Sequence, residues 1–402
     1  MGTSASILHN PNRIIPLKSI EFPYKRIDQE INAASPADNL QLITEIDLNV
    51  CKDFKIGPYF DEENMSVMSE KYNDNNAKIL KELLKLSDIY YYCKDGSVDF
   101  YNFMYSSHVL RIIDVQNLNR SIFFCPSMIF RIILYSIKFS QNPIKQYYIP
   151  SLKPYYNISH VSYLRRQINA DIQRTNFLSS NLVMEYSQIF LENLGRILFE
   201  TGLRDEEISY VQGFNFIVAF LLLITGNNLR LSFVIFVKIL HMKSEYFGLE
   251  LRAAFSQNFP LSENYKVLLK ELLTRYDFAL FTHLMTVDSS LFWVDKWIHT
   301  LFVLNFSLRI TVKFWDFFIA EGIDTIILII FLVLIYLKKD IMHCKELENF
   351  MCIIDSLKNC SREKEEDLFG FVADNLVNKT YKLTENMCVM NISNGKKIKG
   401  KE

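Results

Sequence analysis

The sequence predicts an all-α fold, and three observations carry that reading. From about residue 121 onward, one stretch after another places apolar side chains at the spacing of a helix packed on one face. Pro and Gly are sparse there, and no segment alternates polar with apolar as a half-buried strand would. With 402 residues, half of them apolar and 22% charged, the chain is also long enough to bury a large helical core, as two domains or one domain with extensions.

Taken in order, residues 1 to about 75 are rich in Asn, Asp, Ser and Pro and show little periodicity, so they read as loop. Residues 77–86 have helical spacing, and the aromatic run 89–105 is broken by Lys94-Asp95-Gly96, a turn signal that suits a small hairpin. Together these make residues 1–119 a partly disordered N-terminal extension. The spacing predicts a helix over 163–174, in which Asp171 and Arg174 share a face and can pair. The next helix, 185–200, carries Ile189, Phe190, Leu194, Ile197 and Leu198 on one side, and Arg204-Asp-Glu-Glu207 follows as a polar connection. Tyr210-Val-Gln212-Gly213 then precedes an apolar helix at 214–224, which puts Gln212 in a loop or a first helical turn. Further helices are read at 265–275, 292–302, 310–320 and 325–337, completing a main domain over 120–345. A C-terminal helical segment with a basic tail, Lys396-Lys-Ile-Lys399, occupies 346–402. No repeat of fixed period is visible, which disfavours a solenoid.

Two apolar runs invite confusion with membrane spans. The thirteen residues 325–337 are too few to cross a bilayer core as a helix, and the uncharged stretch 208–229 is continuously apolar only over 216–224. Both read as helices buried on all sides.

Composition excludes other classes. A formal net charge of −1 gives no basic field for nucleic acid. The seven cysteines are scattered, without C-x-x-C or zinc spacing, and read as reduced cytosolic thiols. No P-loop, H-E-x-x-H or G-x-S-x-G word is present, and Asn73-Asp-Asn-Asn76 lacks the Gly and Glu of a calcium loop, so no metal site is expected. Trp293, Trp297 and Trp315 read as core anchors, and His241, His283 and His299, set among apolar residues, as structural histidines. The N-terminus shows no secretory signal but begins Met1-Gly2 with Ser6, the pattern for myristoylation of Gly2. One acyl chain would give marginal, reversible membrane contact, so the expected location is cytoplasmic and peripheral on endomembranes.

Two short words remain, I-N-A-D-I-Q-R from Ile168 through Asp171 to Arg174, and Y-V-Q-G from Tyr210 through Gln212 to Gly213. Alone, an Asp and Arg three residues apart are usually a solvated pair worth a few tenths of a kcal/mol, and a Gln before a Gly is a turn residue. Both words occur complete and in order, and the sequence around them resembles the TBC-domain family of Rab GTPase-activating proteins, whose catalytic words are I-x-x-D-x-x-R and Y-x-Q-G. Residues 210–220 resemble the family's YCQGMNFIAG with Phe214 for Met; W-I-H-T-L-F at 297–302 resembles its WFLTLF; and K-F-W-D at 313–316, followed by Glu321-Gly322, resembles its RIWD…EG. The departures are Ser307 for a proline, Lys313 for an arginine, and a degraded domain entry at Cys125-Pro126, Arg131 and Tyr135.

The resemblance, over roughly residues 120–345, implies a multi-helix TBC fold and a partner: a Rab-family small GTPase in its GTP form, which brings the GTP and Mg²⁺ so that the chain needs no cofactor of its own. It further implies that Arg174 and Gln212 act as fingers in trans. A guanidinium stays charged and forks toward two oxygens of the γ-phosphoryl transition state, an effect worth about 10³ to 10⁵ in rate. A carboxamide accepts from the attacking water while donating toward phosphate. Asp171 would hold the arginine, Tyr210 and Gly213 would shape the loop, and Ile168 completes the first word. The other reading is a non-catalytic TBC-fold effector or scaffold that docks the GTP form without hastening its loss.

Overall fold

The computed structural model describes residues 14–16, 153–175, 188–224, 229–378 and 383. Gly2, the helix read at 77–86, the hairpin at 89–105, the departures at 125–135 and the tail at 396–399 lie outside those residues.

An extended segment, Tyr155–Asn157, leads into the helical array and pairs antiparallel with Ile14–Pro16, Ile14 opposite Asn157 and Pro16 opposite Tyr155. Three-residue strands are too short to show alternation, which is why the sequence betrayed neither. Asn157 then caps the first helix, Ile158–Ile172, its side chain accepting from the backbone N–H of Ser159 at 2.8 Å and His160 at 3.3 Å. The cap starts the helix five residues before the apolar pattern becomes regular. Val161, Leu164, Ile168 and Ile172 recur at three- and four-residue spacing and are buried, while Tyr163, Arg166 and Ala170 face solvent.

The buried face meets the helix Gln188–Arg204. A Cβ on Gly202 would lie 2.7 Å from a Leu164 methyl, so this glycine lets the two helices close on each other. That contact carries the second helix four residues past its expected end at Glu200. Its last turn is braced by the buried Arg204–Glu200 ion pair at 2.9 Å.

The third helix, Phe214–Ile224, is the centre of the molecule, with every residue but Phe216 buried. It packs between Gln188–Arg204 and Leu229–Leu240, and Phe220 lies 4.7 Å, ring to ring, from Trp315. The chain continues through a 3₁₀ turn, Leu251–Ala254, and the helices Pro260–Tyr276, Phe278–Val287, Phe292–His299, Leu308–Glu321 and Thr325–Tyr336. Thr325–Tyr336 is buried along its length among Pro260–Tyr276, Leu308–Glu321 and the late helix Arg362–Val377, whose Leu368 and Val372 close over it. Among the described residues no helix is long and apolar enough to cross a membrane. Both apolar runs are thus buried helices.

The two scaffold departures have found local roles. Ser307 caps Leu308–Glu321, accepting from the Ile310 N–H at 3.4 Å, and Lys313 sets its ammonium 3.8 Å from the centre of the Phe369 ring. The three tryptophans are fully buried. His241 differs from expectation: it is exposed and lies 3.0 Å from Glu250.

Candidate functional site

The first word ends where its helix ends. Ile168 is buried against the second helix and anchors this turn, while Asp171, one turn on, points its carboxylate inward and is 5% exposed. A buried carboxylate must be paired, and Asp171 has two partners. The Tyr210 hydroxyl donates to its Oδ2 at 2.6 Å, and the Arg174 guanidinium pairs with its Oδ1. Arg174 lies just beyond the helix, its side chain 65% exposed, so it is tethered at one nitrogen while the rest of the guanidinium stays open to solvent. Burial, and then the hydrogen bond to Asp171, push the Tyr210 hydroxyl well above its ordinary pKa, which keeps it a donor at any working pH.

The second word is a turn. The Phe214 N–H returns to the Val211 carbonyl at 3.1 Å, with Gln212 and Gly213 between them and Gly213 at φ +117°. That is the left-handed position a type II turn reserves for glycine. A Cβ there would also meet the His299 carbonyl oxygen at 2.7 Å, so glycine is required twice over. The turn leaves Gln212 exposed at the mouth of the central helix. The Gly213 N–H donates to the Asn215 side-chain oxygen at 3.1 Å, and the Asn215 amide reaches across to the Thr175 hydroxyl at 3.0 Å, which itself donates to the Asp171 carbonyl at 2.7 Å.

Two independent links therefore join the words: Tyr210 to Asp171, and Asn215 to Thr175. Arg174 and Gln212 emerge from one hydrogen-bonded unit, 38 positions apart in sequence. Thr175 and Asn215 escaped the sequence reading, although Asn215 sits inside the quoted 210–220 stretch. A carboxamide two residues after a turn glycine is the signal that was there to use.

Further residues secure the loop that leads into the turn. Arg252 forks onto Asp205 at 2.8 and 2.9 Å and reaches Glu207 at 2.6 Å, while Asp205 also accepts from the Ile208 N–H at 3.3 Å. Burial opposes the charge on Arg252, and the bonds to Asp205 and Glu207 more than offset it, leaving its pKa raised. The acidic word 205–207, read as a mere polar connection, thus clamps the approach to Gln212. Under the turn, His299 donates from Nε2 to the Ala254 carbonyl at 2.8 Å. Its pKa is lowered, chiefly by burial and secondarily by the charge of Lys266, against the opposing pull of Asp295 and the Ala254 bond. A neutral imidazole bonded to a carbonyl oxygen carries its proton on that nitrogen, so His299 is structural here as the sequence suggested.

Comparison with protein families identifies the kind of domain this is. The sequence model of the Rab-GTPase-TBC domain matches residues 127–342. The human ecotropic viral integration site 5 protein homolog is 27% identical over 210 residues, 49% of this chain and 23% of that protein, so the chain spans under a quarter of that relative. Among solved structures, the TBC domain of a Chlamydomonas flagellar RabGAP superposes with a TM-score of 0.51 at 14% identity, covering 75% of this chain and 96% of that one, a likeness of fold. The YPT/RAB-GAP domain of GYP1P gives 0.45 at 14% identity, over 67% and 93% of the two chains.

Proposed function

The chain belongs to the Rab-GTPase-TBC domain family, and from that premise we propose that it is a GTPase-activating protein that inserts Arg174 and Gln212 into the nucleotide pocket of a Rab-type GTPase. The observation that carries this reading is the pairing of the two words. Both side chains are exposed, and both rise from a unit tied by the Tyr210–Asp171 and Asn215–Thr175 hydrogen bonds. A solvated helix pair and an incidental turn would need no such ties.

In the proposed reaction the partner holds GTP and Mg²⁺. Arg174 meets the charge that builds on the γ-phosphoryl oxygens, binding the transition state better than the ground state. Asp171 keeps the guanidinium aimed, so less rotamer freedom is lost on docking. Gln212 orients the attacking water through its carbonyl and donates from its amide toward phosphate. Docking of the two proteins excludes water and strengthens both interactions.

The deciding experiment is a single-turnover GTP hydrolysis assay with a panel of purified Rab-type GTPases. Acceleration of at least one of them supports the reading. A chain that binds the GTP form without hastening hydrolysis is instead an effector, and no observation in the fold favours that alternative, since Ser307 and Lys313 are integrated into the helical scaffold. Acylation at Gly2 would add reversible membrane contact on the vesicle surfaces where such GTPases work. A Gly2→Ala variant expressed in cells then shifts from the membrane to the soluble fraction, and an unchanged distribution removes the lipid from the account.

A further inference from the structure

Six residues other than glycine hold a positive φ among those described: Ser209, Asn258, Phe259, Leu291, Leu301 and Phe302. Leu291, Leu301 and Phe302 are fully enclosed in the core, where packing on all sides over-determines their backbone. Asn258 and Ser209 are small and polar, and asparagine in particular tolerates the left-handed region. Phe259 stands apart. Its φ is +47°, a poor conformation for an aromatic residue, yet the residue is 41% exposed, so the core does not enclose it as it does the other three.

Its position is informative. Phe259 precedes the helix Pro260–Tyr276, and its ring lies 5.1 Å from that of His299. The His299 carbonyl is the atom that crowds Gly213, and the Phe255 ring fills the space between His299 and Phe214 at 5.4 and 4.7 Å. The exposed phenylalanine therefore borders the turn that presents Gln212, one residue removed from Gly213. Strained, solvent-facing aromatics beside a site are characteristic of contacts completed by a partner, and aromatic anchors held rigid in advance lose little entropy on binding.

We propose that Phe259 is a docking contact for the partner GTPase, packing on an apolar part of its surface beside the nucleotide pocket and setting affinity rather than the rate of the bound complex. The inference rests on the reading of Gln212 as a finger, because it is that reading which places the GTPase over this turn. Phe259 itself touches no reacting atom. It neither donates nor accepts in the chemistry, so its removal weakens the complex and leaves the fingers in place.

Phe259→Asn is the informative variant, since asparagine suits the left-handed backbone while deleting the ring. The full chain and its variants are titrated against a panel of Rab-type GTPases loaded with a non-hydrolysable GTP analogue, and hydrolysis is then measured at saturating partner. The expected result is a melting temperature equal to or above that of the parent, a dissociation constant raised about ten-fold, and a saturated rate within about two-fold of the parent. Phe259→Leu, which keeps apolar bulk, retains most of the affinity. Unchanged affinity in Phe259→Asn overturns the proposal, as does a lowered saturated rate at unchanged affinity, which would make the ring a support for the turn. Weak binding by the leucine variant equal to that of the asparagine variant also overturns it. Should the parent bind a GTPase but fail to accelerate it, the finger reading falls while the affinity comparison still decides the role of Phe259; should it bind none, both fall.

Discussion

Arg174 and Gln212 are held by opposite means. The arginine sits past the end of a helix with most of its side chain in solvent, and what aims it is one side-chain pair with Asp171, itself secured by Tyr210. The glutamine sits in a turn whose backbone leaves no freedom: Gly213 is locked by its φ and by the His299 carbonyl, and the loop before it is clamped by Arg252. One group is positioned by charge and the other by main-chain geometry. Disturbing what holds each group should therefore act differently: loosening the Asp171 pair misaims Arg174, whereas disturbing the turn under Gln212 strains the fold.

The largest effect is expected at the groups themselves. Arg174→Ala should lower the single-turnover rate of the stimulated GTPase by about 10³-fold or more, with only a small fall in melting temperature, since the side chain is exposed but the buried Asp171 carboxylate loses one of its two partners. Gln212→Ala should likewise abolish most stimulation without unfolding the protein. Full stimulation by the arginine variant would show that Arg174 is not a catalytic group.

Gly213→Ala comes next and tests the turn that holds Gln212. A methyl group would clash with the His299 carbonyl at 2.7 Å and force an alanine to φ +117°. The expected cost is roughly 2 kcal/mol or more in denaturant unfolding, with stimulation lost although Gln212 is intact. Tyr210→Phe is milder and probes the tie between the halves. It removes one donor from the buried Asp171 carboxylate and should cost about 1–3 kcal/mol of stability, with a reduced saturated rate as Arg174 loses its aim. An isosteric variant with the parent's rate would mean that Asp171 needs only Arg174.

The smallest effect is a pH dependence on the glutamine side. The pKa of His299 lies below the ordinary 6.5 because burial disfavours its charge. Above pH 6.5 the imidazole is neutral in folded and unfolded chains alike, so its contribution is fully present. As pH falls through that value the unfolded chain takes up a proton that the folded one refuses, and stability is lost until the lowered pKa is passed. Melting curves between about pH 7.5 and 5.5 should show this fall, and a His299→Gln variant, which keeps a donor toward Ala254, should show a shallower one.

Much of the scaffold was legible because helical periodicity is local. The helix at 214–224 was read to the residue, and 325–337 and 310–320 to within two. The glycine at 322, with φ +101°, announced where one of them stops. Other ends were not announced. The helix read as 292–302 stops at His299, where Leu301 takes the left-handed conformation and the N–H groups of Leu301 and Phe302 return to the Ile298 and Trp297 carbonyls at 3.1 and 3.0 Å. That closure normally carries a glycine, and here core burial of Leu301 and Phe302 holds it without one. Leu229–Leu240 and Phe278–Val287 went unread.

The amino-acid order by itself determined the helical class, the two motif words and the glycine that a tight turn demands, since each depends on neighbours within a few positions. Only the tertiary structure decided that Asp171 shares its carboxylate between Arg174 and Tyr210, that Asn215 reaches Thr175, and that His299 and Phe259 flank the glutamine turn. Arg174 is a neighbour of Asp171 in sequence, but Tyr210 and Asn215 lie about forty positions from their partners, and which of many possible donors meets a given carboxylate is settled by how the helices pack.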